Sequence, residues 1–207
     1  MAKSNDELMA RYEALKAKVV KRKKEFSEFV EMMEKETSWL TSPASTRFHL
    51  NVESGLLQHS VGVAETLLKL RAALAPEISE ESCVICALFH DAGKVGMPGK
   101  SYYLKNEDQW QVKNRNITYK VNDEVVTMGI AIRSLYLVSK YVPLSDAEAQ
   151  AIAYHDGQYI DDNHCVAQDE ELLTLLLHWA DYWTAHRFED GWQAAPDSGW
   201  YDRALKR

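Results

Sequence analysis

The sequence predicts a mostly α-helical single domain carrying one short β insertion. Three observations carry that prediction. Apolar residues recur at three- and four-residue spacing over most of the 207-residue chain. Gly, Pro and Asn clusters cut the pattern into segments of helical length. One stretch alone, near 101–122, switches to short aromatic and β-branched runs.

The elements follow in order. Asn5 to Trp39 reads as one long helix, with Leu8, Tyr12, Leu15, Val19, Phe26, Phe29, Val30 and Met33 at helical spacing. The insert Lys21-Arg22-Lys23-Lys24 interrupts this stripe; it reads as a solvated face or, alternatively, as a basic patch for phosphate. A loop after Pro43 leads to Gly55, and a second helix runs to about Ala73 with His59, Val63, Leu67 and Leu70 on one face. A third begins near Ser79, a suitable N-terminal cap, and ends at Gly93. Cys83 and Cys86 lie in its apolar run with no second CxxC to pair with, so they read as small core residues. Between Ser101 and Asn122 the strings Tyr-Tyr-Leu, Gln-Trp-Gln-Val and Ile-Thr-Tyr-Lys-Val predict a small hairpin or three-stranded flap. Three helices follow, over Asp123–Tyr141, Ser145–His155 and Gln168–Phe188. The expected organisation is thus an N-terminal helix and linker over 1–45, a helical domain over 46–190, and a tail over 191–207 with Trp192 and Trp200.

Composition narrows the function classes. An apolar share of 46% and a charged share of 27% are those of an ordinary globular chain, long enough for one well-buried core. A net charge of -7 argues against coating long duplex DNA, though not against a local cationic pocket. No apolar run reaches the roughly 18 to 20 residues a membrane span needs, and the start lacks an apolar signal core. With three cysteines and no disulfide framework, a cytoplasmic location is expected.

Chemistry concentrates in Ala87-Leu-Phe-His90-Asp91-Ala-Gly93-Lys94-Val-Gly96-Met-Pro98, where an imidazole and a carboxylate sit side by side at the end of an apolar run. Both are good ligands for a hard or borderline divalent ion. One pair cannot hold an ion, but His59, His155, His178 and Asp181 supply partners. His59 falls on the buried stripe of its helix, and Asp181 lies in Leu175-Leu-Leu-His178-Trp-Ala-Asp181-Tyr-Trp-Thr-Ala, apolar nearly all round. A buried carboxylate must be paired, protonated or metal-bound. Two of them with two histidines from three helices offset one another best around a cation.

In the order His59, His90-Asp91, Asp181 the chain resembles the HD-domain superfamily of metal-dependent phosphohydrolases, which are helical. Gly55-Leu-Leu-Gln-His59-Ser is similar to the family's first-histidine helix, and His90-Asp-Ala-Gly-Lys94 to its HDxGK variant. Leu177-His178-Trp-Ala-Asp181 resembles the terminal-aspartate helix. Tyr154-His155-Asp-Gly157 is similar to a His-Gly segment of HD domains of the 3'-5' exoribonuclease type and of cyclic-dinucleotide phosphodiesterases. The resemblance, over roughly Phe48 to Phe188, implies an HD-type helical bundle with His59, His90, Asp91 and Asp181 as metal ligands. It implies an ion (Mn, Fe, Co, Ni, Zn or Mg) that polarises a phosphoryl oxygen and activates a water. Asp91, Lys94 and His155 are then the catalytic candidates. Lys94 and His155 are also the substrate-binding ones, with His155 open to binding phosphate, protonating the leaving oxygen or ligating a second metal. Arg133, on an otherwise apolar helix, is a further substrate-binding candidate, or equally the partner of a buried salt bridge. Two departures qualify this. The helix after the motif, Val125-Val-Thr-Met-Gly-Ile-Ala-Ile-Arg133, lacks the histidine of bimetallic members, which points to one ion. Lys94 stands where the deoxynucleotide 5'-phosphatase branch places a glutamate, so that branch's water-activating residue has no counterpart here.

Tyr102, Tyr103 and Trp110 either stack a base or pack the flap on the helices; His49 is a weaker pocket candidate and His164 reads as surface. The expected activity is hydrolysis of a nucleotide or short nucleic-acid phosphoester or phosphodiester. The partner would be a small nucleotide or single-stranded end, with no membrane. The alternative is a non-catalytic, metal-stabilised module that binds a nucleotide or a protein. The first helix would serve a homodimer or lie across its own core.

Overall fold

The computed structural model describes residues 2–48 and 50–187, so His49 and the 191–207 tail lie outside the described residues. The N-terminal segment forms two helices rather than one, α1 (Ala2–Lys16) and α2 (Lys23–Glu36). The break has a physical cause. The backbone amides of Val20 and Lys21 donate to the Glu81 carboxylate at 2.7 and 2.6 Å, which a continuous helix would forbid. Arg22, in the insert read as a solvated face, turns inward instead. Its guanidinium binds Glu81 (2.8 Å), Glu148 (2.8 and 2.6 Å) and the Pro143 carbonyl (2.9 Å).

The central pair is α3 (Gly55–Leu74) and α4 (Glu80–Phe89), the latter capped by the Ser79 hydroxyl as its sequence suggests. A 3-10 turn over Ala92–Val95 then feeds two small antiparallel hairpins. Strands β1 (Gly96–Met97) and β2 (Lys100–Ser101) pair across Pro98-Gly99; β3 (Tyr103–Lys105) pairs with β4 (Tyr119–Val121), Tyr103 opposite Val121. Between β3 and β4 the run Gln-Trp-Gln-Val, expected as a strand, is a short helix, α5 (Gln109–Arg115). Asp108 decides this: its carboxylate accepts from the amides of Trp110 and Gln111, a helix N-cap that outweighs four residues of weak alternation.

The last three helices are α6 (Ile130–Ser139), α7 (Asp146–Tyr154) and α8 (Leu172–Arg187). Helix α6 starts seven residues later than expected because Val126 and Met128 turn their carbonyls to the Arg133 guanidinium. Helix α7 opens on a full capping box, Ser145 with Glu148. In the core, α3 packs on both α4 and α8, α7 packs on α6 and α8, and α1 lies against α3. The buried side chains of α1 and α2 (Tyr12, Phe26, Phe29, Met33) and Trp39 join the same hydrophobic cluster as α3, α4 and α8. Cys83 and Cys86 are buried there, and burial pushes the Cys83 thiol up to about 12, so neither serves as a reactive thiolate. No described helix is long and apolar enough to cross a membrane.

Candidate metal centre

Four helix ends and faces converge on one point. His59 sits in the second turn of α3, on its buried face. His90 and Asp91 follow directly on the last residue of α4, where the helix gives way to the 3-10 turn. His155 follows α7 in the same way, and Asp181 lies midway along α8. The sharp turn after His90 depends on Gly93: a Cβ there would collide with the Ile130 carbonyl, so only glycine lets α6 approach. Ser134 of α6 accepts the Gly93 amide (2.8 Å) and Arg133 donates to the Gly93 carbonyl (2.9 Å), fixing the turn from below.

The ligand atoms are close. His59 Nε2 lies 3.2 Å from His90 Nε2 and 3.1 Å from Asp181 Oδ1; His90 Nε2 is 3.9 Å from that oxygen. Asp91 Oδ2 is 3.6 Å from His59 Nε2 and 3.5 Å from His90 Nε2. Metal–ligand bonds of about 2.1 Å place neighbouring donors about 3.0–3.4 Å apart, so the spacing suits one shared ion. The donors form two overlapping triads, His59–His90–Asp181 and His90–Asp91–His155, joined at His90. The expected ligands are therefore brought together, with Asp91 belonging to the triad that also holds His155.

Tautomers and charges agree with metal binding. His90 Nδ1 lies 2.7 Å from the Ala87 carbonyl, so that nitrogen carries the proton and Nε2 presents its lone pair to the cluster. Burial holds the His90 imidazole down at about 4, keeping it a neutral donor. His155 Nδ1 donates likewise to the Ile152 carbonyl (2.9 Å). Burial opposes its protonation, but the Asp91 hydrogen bond and the charges of Asp156 and Asp181 prevail and raise it to about 9. Asp91 is held well below the usual carboxylate range: burial works against ionisation, and Lys94, His90 and His155 overcome it. Asp181 is lowered too, against its burial, chiefly through His59. The Lys94 ammonium sits 2.5 Å from Asp91 Oδ2, and the Asp91 charge raises it above its ordinary value despite burial.

The cluster opens into a cavity of about 410 Å³, whose walls include His59, Asp91, Lys94, Asp156, Asp181 and Tyr182. Not every expected site residue reaches it. Arg133 does not: it is 1% exposed, its guanidinium is given to the Gly93, Val126 and Met128 carbonyls, and it stacks on Tyr102 at 4.6 Å. Its assignment to substrate is corrected to the support of the His90-Asp91 turn. Tyr102 is thereby engaged under Arg133, and neither Tyr103 nor Trp110 lines the cavity. The aromatic groups that do line it are Tyr159 and Tyr182, parallel to within 3°, with His186 stacked on Tyr182 at 3.9 Å. Sequence reasoning missed them, although His178, Tyr182 and His186 recur every fourth residue beside Asp181, a signal for one helical face.

The family model for the HD domain matches residues 56–185, which takes in every candidate ligand from His59 to Asp181. No curated protein and no solved structure matches the chain.

Proposed function

The chain belongs to the HD-domain family of metal-dependent phosphohydrolases, and from that premise we propose that it hydrolyses a nucleotide or short nucleic-acid phosphoester or phosphodiester with one divalent ion. The observation that carries the reading is the convergence of two imidazole nitrogens and two carboxylates within metal-bridging distance at the floor of a cavity. His59, His90, Asp91 and Asp181 would hold the ion. When bound, it supplies Lewis acidity toward a phosphoryl oxygen and lowers the pKa of a water.

The protein's own groups do the rest. The Asp91 carboxylate, anionic against Lys94, accepts a hydrogen bond from the attacking water and orients it. Lys94 holds a fixed positive charge where a phosphate gains charge, and burial strengthens that interaction. Its presence against Asp91 also supports a single ion, because one fixed cation already faces that carboxylate. The His155 imidazolium, with Nε2 3.7 Å from Asp91 Oδ1, contributes a second positive charge behind the aspartate. The site thus sets four cationic or metal-ligating nitrogens around two carboxylates, a balance that suits a phosphate dianion or monoanion joined to a divalent cation.

The test is turnover of bis(p-nitrophenyl) phosphate and a nucleotide panel by the purified chain with added Mn²⁺. Metal-dependent release of product that Asp91→Ala abolishes supports the enzyme. A bound ion with no turnover on any member of the panel supports the non-catalytic binding module instead.

A further inference from the structure

A second cavity, of about 350 Å³, adjoins the first, and nothing in the phosphohydrolase chemistry uses it. Its walls include Tyr154, Gln158, Glu170, Leu175 and Trp179, and it shares Tyr159 and His178 with the metal cavity. The shared wall is built, not incidental. His178 Nδ1 donates to the His155 carbonyl at 2.8 Å, anchoring the ring to the residue behind the metal cluster. Gly157, at φ +66°, leaves the space that ring fills; any Cβ there would overlap it. Tyr159 continues the wall, its ring parallel to Tyr182 on the metal side.

The lining carries four flat aromatic rings, Tyr154, Tyr159, His178 and Trp179, with one polar edge. There Gln158 and Glu170, residues that carry acceptor oxygens, line the cavity, and the Gln158 amide donates to Glu170 Oε1 at 2.9 Å. The volume falls in the range of small-molecule sites, about 300–1,000 Å³. A nucleobase has the matching chemistry: a flat π-face for Trp179 and the tyrosines, and N–H donors along one edge for acceptors. A molecule that places phosphate at Lys94 and an aromatic ring past the His178 wall spans both cavities, and a nucleotide is such a molecule.

We propose that this second cavity is a nucleobase subsite, holding the base of the substrate whose phosphate lies against the His59–Asp181 cluster. The assignment rests on the phosphohydrolase reading for the position of the phosphate, but not for the base itself, which binds without turnover. Adenosine, which lacks phosphate, is therefore the probe, added to the metal-free full chain and followed by equilibrium dialysis. Saturable binding is expected. Leu175→Trp, which fills the cavity, and Trp179→Ala, which removes a half-exposed wall, should each weaken it about tenfold. Melting curves identify any variant that fails to fold, and Trp179→Ala keeps the test decisive if Leu175→Trp does. Adenosine binding that survives both substitutions in folded protein overturns the proposal. So does an absence of nucleoside binding together with a dimer that Leu175→Trp dissociates, which would give the cavity to a second copy of the chain. Metal-dependent hydrolysis of bis(p-nitrophenyl) phosphate without adenosine binding sinks the base subsite alone; adenosine binding without hydrolysis sinks the catalytic reading alone.

Discussion

Two clusters of buried charge lie at opposite ends of helix α4, and they are built on opposite principles. At its start, Arg22, Glu81 and Glu148 form a closed network. Both oxygens of Glu81 accept from protein donors (Val20, Lys21 and Arg22), as do both of Glu148 (Arg22 and Ser145). At its end, His59, His90, Asp91 and Asp181 bring imidazole nitrogens and carboxylate oxygens within 3.1–3.9 Å of one another, beside a cavity. The first cluster matches every acceptor with a donor. The second gathers atoms that can each ligate a metal, two imidazole nitrogens and two carboxylates, at spacings one shared cation suits. Buried charge therefore does not mark function in this fold; the convergence of metal-competent atoms beside a cavity does.

The comparison breaks most sharply under substitution. Asp91→Ala should lower metal-dependent turnover on the order of 10³-fold, since several kcal/mol of transition-state stabilisation depend on the ion and its oriented water. Glu148→Ala should leave turnover per folded molecule unchanged, as neither Glu148 nor its partners Arg22 and Ser145 line the cavity. Steady-state kinetics on both variants checks the pair; a comparable loss in each would erase the distinction drawn between the clusters.

Stability should show the reverse order. Glu148→Ala removes two of the Arg22 hydrogen bonds and the N3 half of the α7 capping box, and should destabilise the protein by about 3 kcal/mol, measured by urea unfolding. Next in size comes Gly157→Ala, which places a Cβ against the His178 ring at a left-handed backbone position. A cost of about 1–2 kcal/mol is expected, with adenosine binding weakened because the wall between the cavities moves.

The smallest effect is on pH dependence. Burial disfavours the charged forms of Glu81 and Glu148, yet hydrogen bonds from Arg22 and from backbone amides hold both below their ordinary value of 4.5. A carboxylate lowered in the folded state binds fewer protons there than in the unfolded chain. Its contribution is thus complete above 4.5 and drains away as pH falls below it. Urea midpoints of the wild-type chain should drop in that window, and Glu148→Gln should flatten the drop; an unchanged profile would show that the network does not carry it.

The fold was legible where period and caps spoke together. Helices α3, α4, α7 and α8 carry both a clear apolar stripe and, in α4 and α7, a serine cap, and each forms within a few residues of its expected bounds. The misreadings have two causes. The break at 17–22 and the inward turn of Arg22 are set by hydrogen bonds to Glu81 and Glu148, distant in sequence, and no local pattern encodes such bonds. The helix at 109–115 and the late start of α6 are set by nearby groups, the Asp108 carboxylate and the Arg133 guanidinium, that outweigh the apolar period. The choice between a substrate contact and a buried pairing for Arg133 was not legible, because the carbonyls that take its guanidinium carry no sequence signature. The convergence of the candidate ligands was legible because polar side chains on apolar stripes stand out. The aromatic walls were not, because tyrosine and tryptophan on a helix look alike whether they face a core or a ligand; only the fold sets Tyr159 parallel to Tyr182.

The most direct test of the account is metal content. After reconstitution with Mn²⁺ or Zn²⁺ and removal of excess, elemental analysis of the wild-type chain should find one ion per molecule, with His59→Ala and Asp181→Ala folded but empty. A wild-type chain that binds no divalent ion, or variants that retain a full equivalent, would contradict the shared-cation account of these four side chains.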